Sequence, residues 1–351
     1  MRRIDLLDVP IVQAPMAGGP STPRLAAAVS EAGGMGFVAA GYRTPEALAE
    51  DIAAVRALTG RPFGVNLFAP TGRPADPDVV RRFAEALRPE AERAGVSLGE
   101  PRFDDDGFEA KLAVLCGGPV AAVSFTFGCP SPETVARLSA AGSSVWVTVT
   151  DVAEAREAVD AGADALVVQG VEAGGHRATF VDRPDPPDYG LLALIQLVRA
   201  RVEAPLVATG GIATGAAIAA VLSAGAAAAQ LGTAFMRCPE AATPPAHRAA
   251  LASQVPTRLT RAFSGRLARG IVNRLLEEHS AGAPIAYPEL HHLTAPLRAH
   301  GRQAGDPDLV NLWAGQAHEL AEEVPAAELV ARLMADAREA LRVAELRLRP
   351  A

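Results

Sequence analysis

An α/β chain wound into a closed (β/α)8 TIM barrel is the fold class this sequence predicts, on three observations. First, alanine-rich helical segments run into Ala-Gly and then directly into a β-type stretch at Ala32-Gly33, Ala141-Gly142, Ala161-Gly162 and Ala224-Gly225. Glycine after a last helical turn is the left-handed stop, so the recurrence is a βα repeat. Second, most of the β-type stretches are near-continuous apolar runs, as expected of parallel strands covered on both faces. Third, eight such runs can be counted, at 11–14, 36–40, 63–68, 121–127, 144–149, 165–169, 205–209 and 227–231. Eight is the strand number of the closed barrel.

Between the strands, 44–58, 151–160 and 189–201 carry apolar residues at helical spacing, with Thr44-Pro45 and Thr150-Asp151 as N-cap signals. The segment 71–118 is longer than one crossover needs, and its Asp104-Asp105-Asp106 run reads as a solvated turn. After Gly232 the rhythm stops. The stretch 257–300 reads as helix and loop, rich in Arg, Gly and His, and 306–323 and 325–348 read as amphipathic closing helices. The expected organisation is a barrel core over 1–240, with an insertion at about 71–118 and an active-site loop at 170–188. A helical elaboration over 241–351 packs on it to complete one catalytic unit.

Composition narrows the function. With 351 residues, 49% hydrophobic and 21% charged, the chain can bury a large core. A net charge of -7 and no basic run interleaved with aromatics argue against a nucleic-acid partner. The opening Met1-Arg2-Arg3-Ile4-Asp5 lacks the apolar centre of a signal peptide, and no run approaches a membrane span, so a cytoplasmic, membrane-free protein is expected. Cys116, Cys129 and Cys238 are odd in number and show no CxxC spacing, which suits reduced thiols that pack in the core; a place on a pocket is an alternative only for Cys129, after an apolar strand. His291-His292 lack acidic companions and read as surface residues, so no metal site is expected.

In a barrel the loops after the strands build the site. The residues there are Ala14-Pro15-Met16, Asn66, Phe127-Gly128-Cys129, Thr148, Gln169-Gly170 with the loop to His176, Gly210-Gly211 and Gly232-Thr233. Carboxylates and lysines are almost absent. A Schiff-base enzyme needs a strand-end lysine, yet Lys111, the only lysine, precedes the fourth strand. A neutral, amide-lined pocket suits a flat heterocycle that brings its own reactivity, which describes a flavin. Thr209-Gly210-Gly211 and Gly232-Thr233 follow strands seven and eight, where barrels bind phosphate.

The stretches 11–19 (IVQAPMAGG), 124–130 (SFTFGCP), 170–177 (GVEAGGHR) and 208–235 (ATGGIATG through AQLGTAF) together resemble the bacterial nitronate monooxygenases, formerly called 2-nitropropane dioxygenases. The likeness extends to 263–271 (FSGRLARGI) and 313–316 (WAGQ). The resemblance implies an FMN-dependent barrel. It assigns Asn66 and Gln169 to the isoalloxazine, Gly174 beside it, Gly211 with Gln230, Leu231, Gly232 and Thr233 to the phosphate, and His176 as catalytic base. The lysine that many flavin barrels place near the flavin N1 and C2 carbonyl is missing, which leaves Thr148 or backbone donors there.

The expected reaction is oxidation of alkyl nitronates, and of neutral nitroalkanes after proton removal by His176, by O2 to carbonyl compounds and nitrite or a related nitrogen oxyanion. An FMN-dependent, NAD(P)H-driven enoyl-carrier-protein or quinone reductase is the alternative, because such barrels share the Gly-Gly-His loop. A flavin-storage barrel without turnover would not need a titratable histidine in that loop. Monomer and homodimer are both compatible with the sequence.

Overall fold

The computed structural model describes residues 7–70 and 72–349. Met1 to Leu6, most of the opening weighed as a leader, and Thr71, where the insertion is expected to begin, lie outside the described residues.

The strands are β1 (Ile11–Gln13), β2 (Phe37–Ala39), β3 (Gly64–Phe68), β4 (Ala122–Thr126), β5 (Ser144–Val149), β6 (Ala165–Gln169), β7 (Gly175–His176), β8 (Leu206–Thr209), β9 (Ala228–Leu231), β10 (Thr257–Thr260) and β11 (Ala268–Ile271). Eight of them form one parallel sheet in the order β1-β9-β8-β6-β5-β4-β3-β2. The circle closes where Val12 bridges Met35 in parallel register and Gln13 N donates to Met35 O at 2.9 Å. These are the eight runs expected, each end within one residue. The glycines read as helix stops, Gly33, Gly142, Gly162 and Gly225, all take positive φ.

Period-two alternation fixes what faces the barrel axis. Val12, Phe37, Trp146, Ala165, Val167, Val207 and Ala228 form an inner core at the floor, with the Phe37 and Trp146 rings 5.5 Å apart. Their neighbours Leu166, Val168, Leu206 and Ala208 point outward into the layer beneath the helices. Because pairing is in register, Ser124 opposite Asn66 and Trp146, Thr148 opposite Val167, and Gln169 opposite Thr209 share the inward parity. The inward row is therefore apolar at the floor and polar at the C-terminal rim.

The helices are α1 (Pro23–Glu31), α2 (Pro45–Leu58), α3 (Pro77–Ala94), α4 (Phe108–Gly117), α5 (Pro132–Ala141), α6 (Val152–Asp160), α7 (Leu191–Arg199), α8 (Gly215–Ser223), α9 (Pro245–Leu251), α10 (Arg274–His279), α11 (Glu289–Ala304) and α12 (Ala326–Leu348). Thr44, Asp151 and Thr214 cap α2, α6 and α8 by accepting from Ala47, Glu154 and Ala217 N–H. Within the insertion, α4 packs on α2 and α5 as the crossover of the ring, while α3 packs on α11.

Three readings of the sequence are corrected. The segment 257–300 contains two strands, β10 and β11, which pair antiparallel and then with β7. They escape the sequence because four-residue strands carrying Arg258 and Arg269 break the apolar signal; Arg269 Nε satisfies itself on Val171 O at 2.9 Å. The segment 306–323 forms no α-helix but two 3₁₀ turns, Pro307–Leu309 and His318–Leu320, joined by an extended run in which Trp313 bridges Gly270. Finally, α12 packs between α8 and α1 as the eighth helix of the ring, burying Leu329, Val330, Leu333 and Ala337 in the barrel's outer layer. The boundary expected near 240 thus cuts through the ring.

The crossing of α8 and α12 hinges on Gly215, where an added Cβ would stand 2.5 Å from Ala337 N and Leu333 O. Gly215→Val should lower stability by about 1–3 kcal/mol through overpacking, read as the urea midpoint. An unchanged midpoint would show that α12 is not held against the ring.

Candidate active site

The polar rim opens into a cavity of about 410 Å³. Asn66, Ser124, Thr126, Thr148, Gln169, Thr209 and Gln230 line it from the strand ends, as their parity dictates. Ala14, Pro15, Met16, Gly174, His176, Gly210, Gly211, Gly232 and Thr233 line it from the loops. Gly170 and Leu231 do not: Leu231 packs in the layer under the helices, and a Cβ on Gly170 would meet Glu172 and Leu191. Cys129 is also absent from the wall and packs beneath the helices.

The amides differ in what they offer. Asn66 Nδ2 is engaged with Ser124 O, Ser124 Oγ and Thr126 Oγ1 at 3.0–3.1 Å, which leaves Oδ1 toward the cavity. Gln169 is occupied at both ends: Nε2 donates to His176 O at 3.0 Å, and Oε1 accepts from Arg177 Nη1 and Ala178 N. Gln169 thus holds the histidine loop from the cavity wall, and the second Nε2 hydrogen has no protein acceptor among the described residues. Arg177, 2% exposed, completes the clamp by donating to Gly170 O at 2.8 Å. Gly174, also in the cavity wall, is packed tightly from behind. A Cβ there would stand 2.4 Å from Ala314 C, so glycine is required by backbone packing against 314–315.

After β8, Gly210 and Gly211 take φ of +125° and +66°. Among the described residues, the N–H groups of Gly211, Gly232 and Thr233 have no protein acceptor. Thr233 Oγ1 accepts from Gly315 N at 3.0 Å. Unpartnered N–H groups after strands seven and eight of the ring are the kind of donor that an anionic group requires.

His176 sits on β7, held by its pairing with Ala268 of β11. Nε2 lies 2.8 Å from Ser264 Oγ, and Nδ1 has no protein partner among the described residues. The Phe127, Tyr287 and Trp313 rings surround it at 5.5, 5.8 and 5.5 Å. The ring faces the cavity yet is enclosed by protein. Burial, reinforced by the Arg266 and Arg298 charges, pulls its pKa down to about 3, so it is neutral near pH 7.

To Phe127 and Trp313 the structure adds Tyr42 and Tyr287, which no sequence pattern singled out. Tyr42 stacks on His291 at 4.0 Å and its hydroxyl meets that of Tyr287 at 3.1 Å. Tyr42 and Phe127 both take positive φ, a strain that the surroundings must fix. Tyr42 N donates to Asp106 Oδ1 at 3.0 Å, and Asp106 Oδ2 lies 2.6 Å from Lys111 Nζ, itself 1% exposed. Asp104 pairs with His292 at 2.9 Å. Asp104 and Asp105 are exposed as a solvated turn requires, Asp106 is tied inward, and His291 belongs to the cavity wall and not the surface. Glu90, Glu278 and His279 are the one group spaced to hold a metal among the described residues, but Arg274 already sits 2.6 Å from Glu90.

The family model for nitronate monooxygenase matches residues 2–336. The chain belongs to the nitronate monooxygenase family. A nitronate monooxygenase of Pseudomonas aeruginosa is 42% identical over 343 residues, covering 94% of this chain and 96% of that protein. A crystal structure of nitroalkane oxidase from Streptomyces ansochromogenes superposes with a TM-score of 0.95 at 51% identity, covering 98% of this chain and all of that one. FabK from Thermotoga maritima is similar at 26% identity and a TM-score of 0.76, covering 99% of this chain and 98% of its own. The chain is accordingly an oxidoreductase of the family that oxidises nitronates. Among the described residues no helix is long and apolar enough to cross a membrane.

In this nitronate monooxygenase fold three histidines are held neutral mainly by burial: His176 near 3, His247 near 4 and His291 near 2. The unfolded chain takes up protons near pH 6.5 that the folded state refuses. This contribution is fully present above that pH and is lost as pH falls toward the folded values. The urea midpoint should drop between about pH 6.5 and about pH 4. A flat profile would mean that the rings are accessible and already charged.

Proposed function

We propose that the cavity holds FMN and that the enzyme uses it with O2 to convert alkyl nitronates to carbonyl compounds and nitrite. The observation that carries this reading is the makeup of the cavity: unpartnered N–H groups, amides, hydroxyls and two arginines, with no carboxylate, lysine or cysteine among the described residues. Such a wall recognises and orients a ligand but has no redox chemistry of its own, and a bound flavin supplies that chemistry.

The residues fit the group. The Gly211, Gly232 and Thr233 N–H groups would hold a single phosphate, and no dinucleotide fingerprint GxGxxG follows a strand to suggest a longer cofactor. Asn66 Oδ1 and the Thr148 hydroxyl stand at the rim for the edge of a heterocycle. Backbone donors after β8 and β9 would carry the charge that a lysine carries elsewhere. Residues 1–240 and 241–351 act as one catalytic unit in this reading, because Ser264 and Trp313 orient His176.

His176 would present Nδ1 to the substrate. Toward a neutral nitroalkane it accepts the α-proton; toward a nitronate it only positions the anion. Its depressed pKa keeps the base form available but makes it a weak acceptor, which favours the nitronate as substrate.

Two outcomes test this reading. Gly211→Val forces a β-branched residue to φ +66° with its Cβ 3.0 Å from Glu172 Cβ, and should remove the flavin from a folded barrel. Full retention of FMN, measured by mass analysis with circular dichroism alongside, would make Gly211 a mere turn residue. His176→Asn should slow anaerobic flavin reduction by neutral nitroalkanes by ~10²–10⁴ and by pre-formed nitronates far less. Equal losses in stopped-flow would discard the base role and leave positioning alone.

A further inference from the structure

Two charged side chains of the cavity have no task in this account. Among the described residues that line it, only Arg298 and Arg302 carry a permanent charge, and no Asp, Glu or Lys faces them. Arg298 is 7% exposed. Its Nε donates to Thr294 Oγ1 at 3.0 Å and its Nη2 to His291 O at 2.6 Å, with His291 Nδ1 at 3.3 Å. No carboxylate pairs with it, and Nη1 has no protein acceptor among the described residues. Burial lowers its pKa to about 10, so the guanidinium remains charged at neutral pH.

The other buried guanidinium groups differ. Arg177 is engaged with the Gln169 and Gly170 carbonyls, Arg269 with Val171 O, and Arg266 with Arg177 O, Thr179 O and the Phe127 ring at 4.2 Å. None of these lines the cavity. A buried cation without a counterion is costly, and a guanidinium with a free N–H edge on a cavity is the donor set for a planar anion with two oxygens.

Position separates this group from the phosphate cradle. Arg298 rests on His291, whose ring lies 6.5 Å from Tyr287, which in turn is 5.8 Å from His176. The cradle borders instead on Glu172, Ala14 and Gly315. Arg298 therefore belongs to the histidine end, where the reacting part of a substrate would lie.

We infer that Arg298 is a specificity-determining residue that holds the negative charge of the nitronate group and so selects the anion over its neutral parent. This rests on the nitronate reading above. The same charge presses on His176 and disfavours its protonated form, so one arginine both attracts the finished anion and weakens the base that would make it.

The test uses the flavin-loaded enzyme and nitrate, a planar trigonal anion with the oxygen geometry of a nitronate. Arg298→Met should weaken nitrate binding in calorimetric titration by ~30-fold or more, and lower kcat/KM for pre-formed ethyl nitronate by a similar factor, chiefly through KM. Arg298→Lys, which keeps the charge, should recover part of both. Nitrate affinity and kcat/KM within twofold of wild type in Arg298→Met would overturn the inference. So would loss of flavin from Arg298→Met and its retention in Arg298→Lys, which would assign the arginine to the cofactor. Wild type alone gives an independent arm that does not depend on a variant folding: ethyl nitronate should bind at least ~30-fold more tightly than nitroethane, and equal binding sinks the idea. Absence of nitronate oxidation by wild type would instead remove the functional reading, leaving the nitrate titration to judge the anion site.

Discussion

Everything at the site descends from register. Parallel pairing in a closed barrel gives each strand residue a fixed parity, and a slip of one residue would exchange the inward and outward sets. The floor of the interior is Phe37, Trp146 and small or branched apolar residues, a packed plug with no room for a ligand. Two positions further along the same strands the inward residues become Thr148, Gln169, Thr209 and Gln230. The cavity is thus the place where the inward face stops being apolar, and loop glycines widen it.

That logic explains what the sequence disclosed and what it withheld. The strands were legible because each is a dense apolar run ending at a glycine or a polar residue, and Asn66, Thr148, Gly211 and His176 could be placed once the strand ends were known. Gln169 could be placed but not understood, because its partners are backbone groups of its own loop. Ser264, Tyr42, Tyr287, His291 and Arg298 come from separate loops and one helix, with no periodic pattern and no shared motif. Only the fold brings them together. The family-like stretch 263–271 contains Ser264, but nothing in its spacing points to a contact with His176, 88 positions away.

Charge gives the site its chemical bias. The protein as a whole is acidic, yet among the described residues the cavity lining holds two arginines and no acid. Neutral His176, neutral Tyr42 whose acidity burial suppresses, and the Arg298 guanidinium give the described lining a positive bias. Lys111, the one lysine, is not at the site, but through Asp106 it fixes the Tyr42 loop whose ring forms part of the wall.

The position of α12 in the ring has a consequence for synthesis. β9 ends at Leu231, whereas the helix that covers the seam between α8 and α1 begins at Ala326. A ribosome releases the chain from its N-terminus, so all eight strands emerge well before their last cover does. During that interval the sides of α8 and α1 that α12 covers lack their partner, and α12 seals the layer when it docks. Apolar surface left open in this way between α8 and α1 is the kind that favours aggregation until its cover arrives.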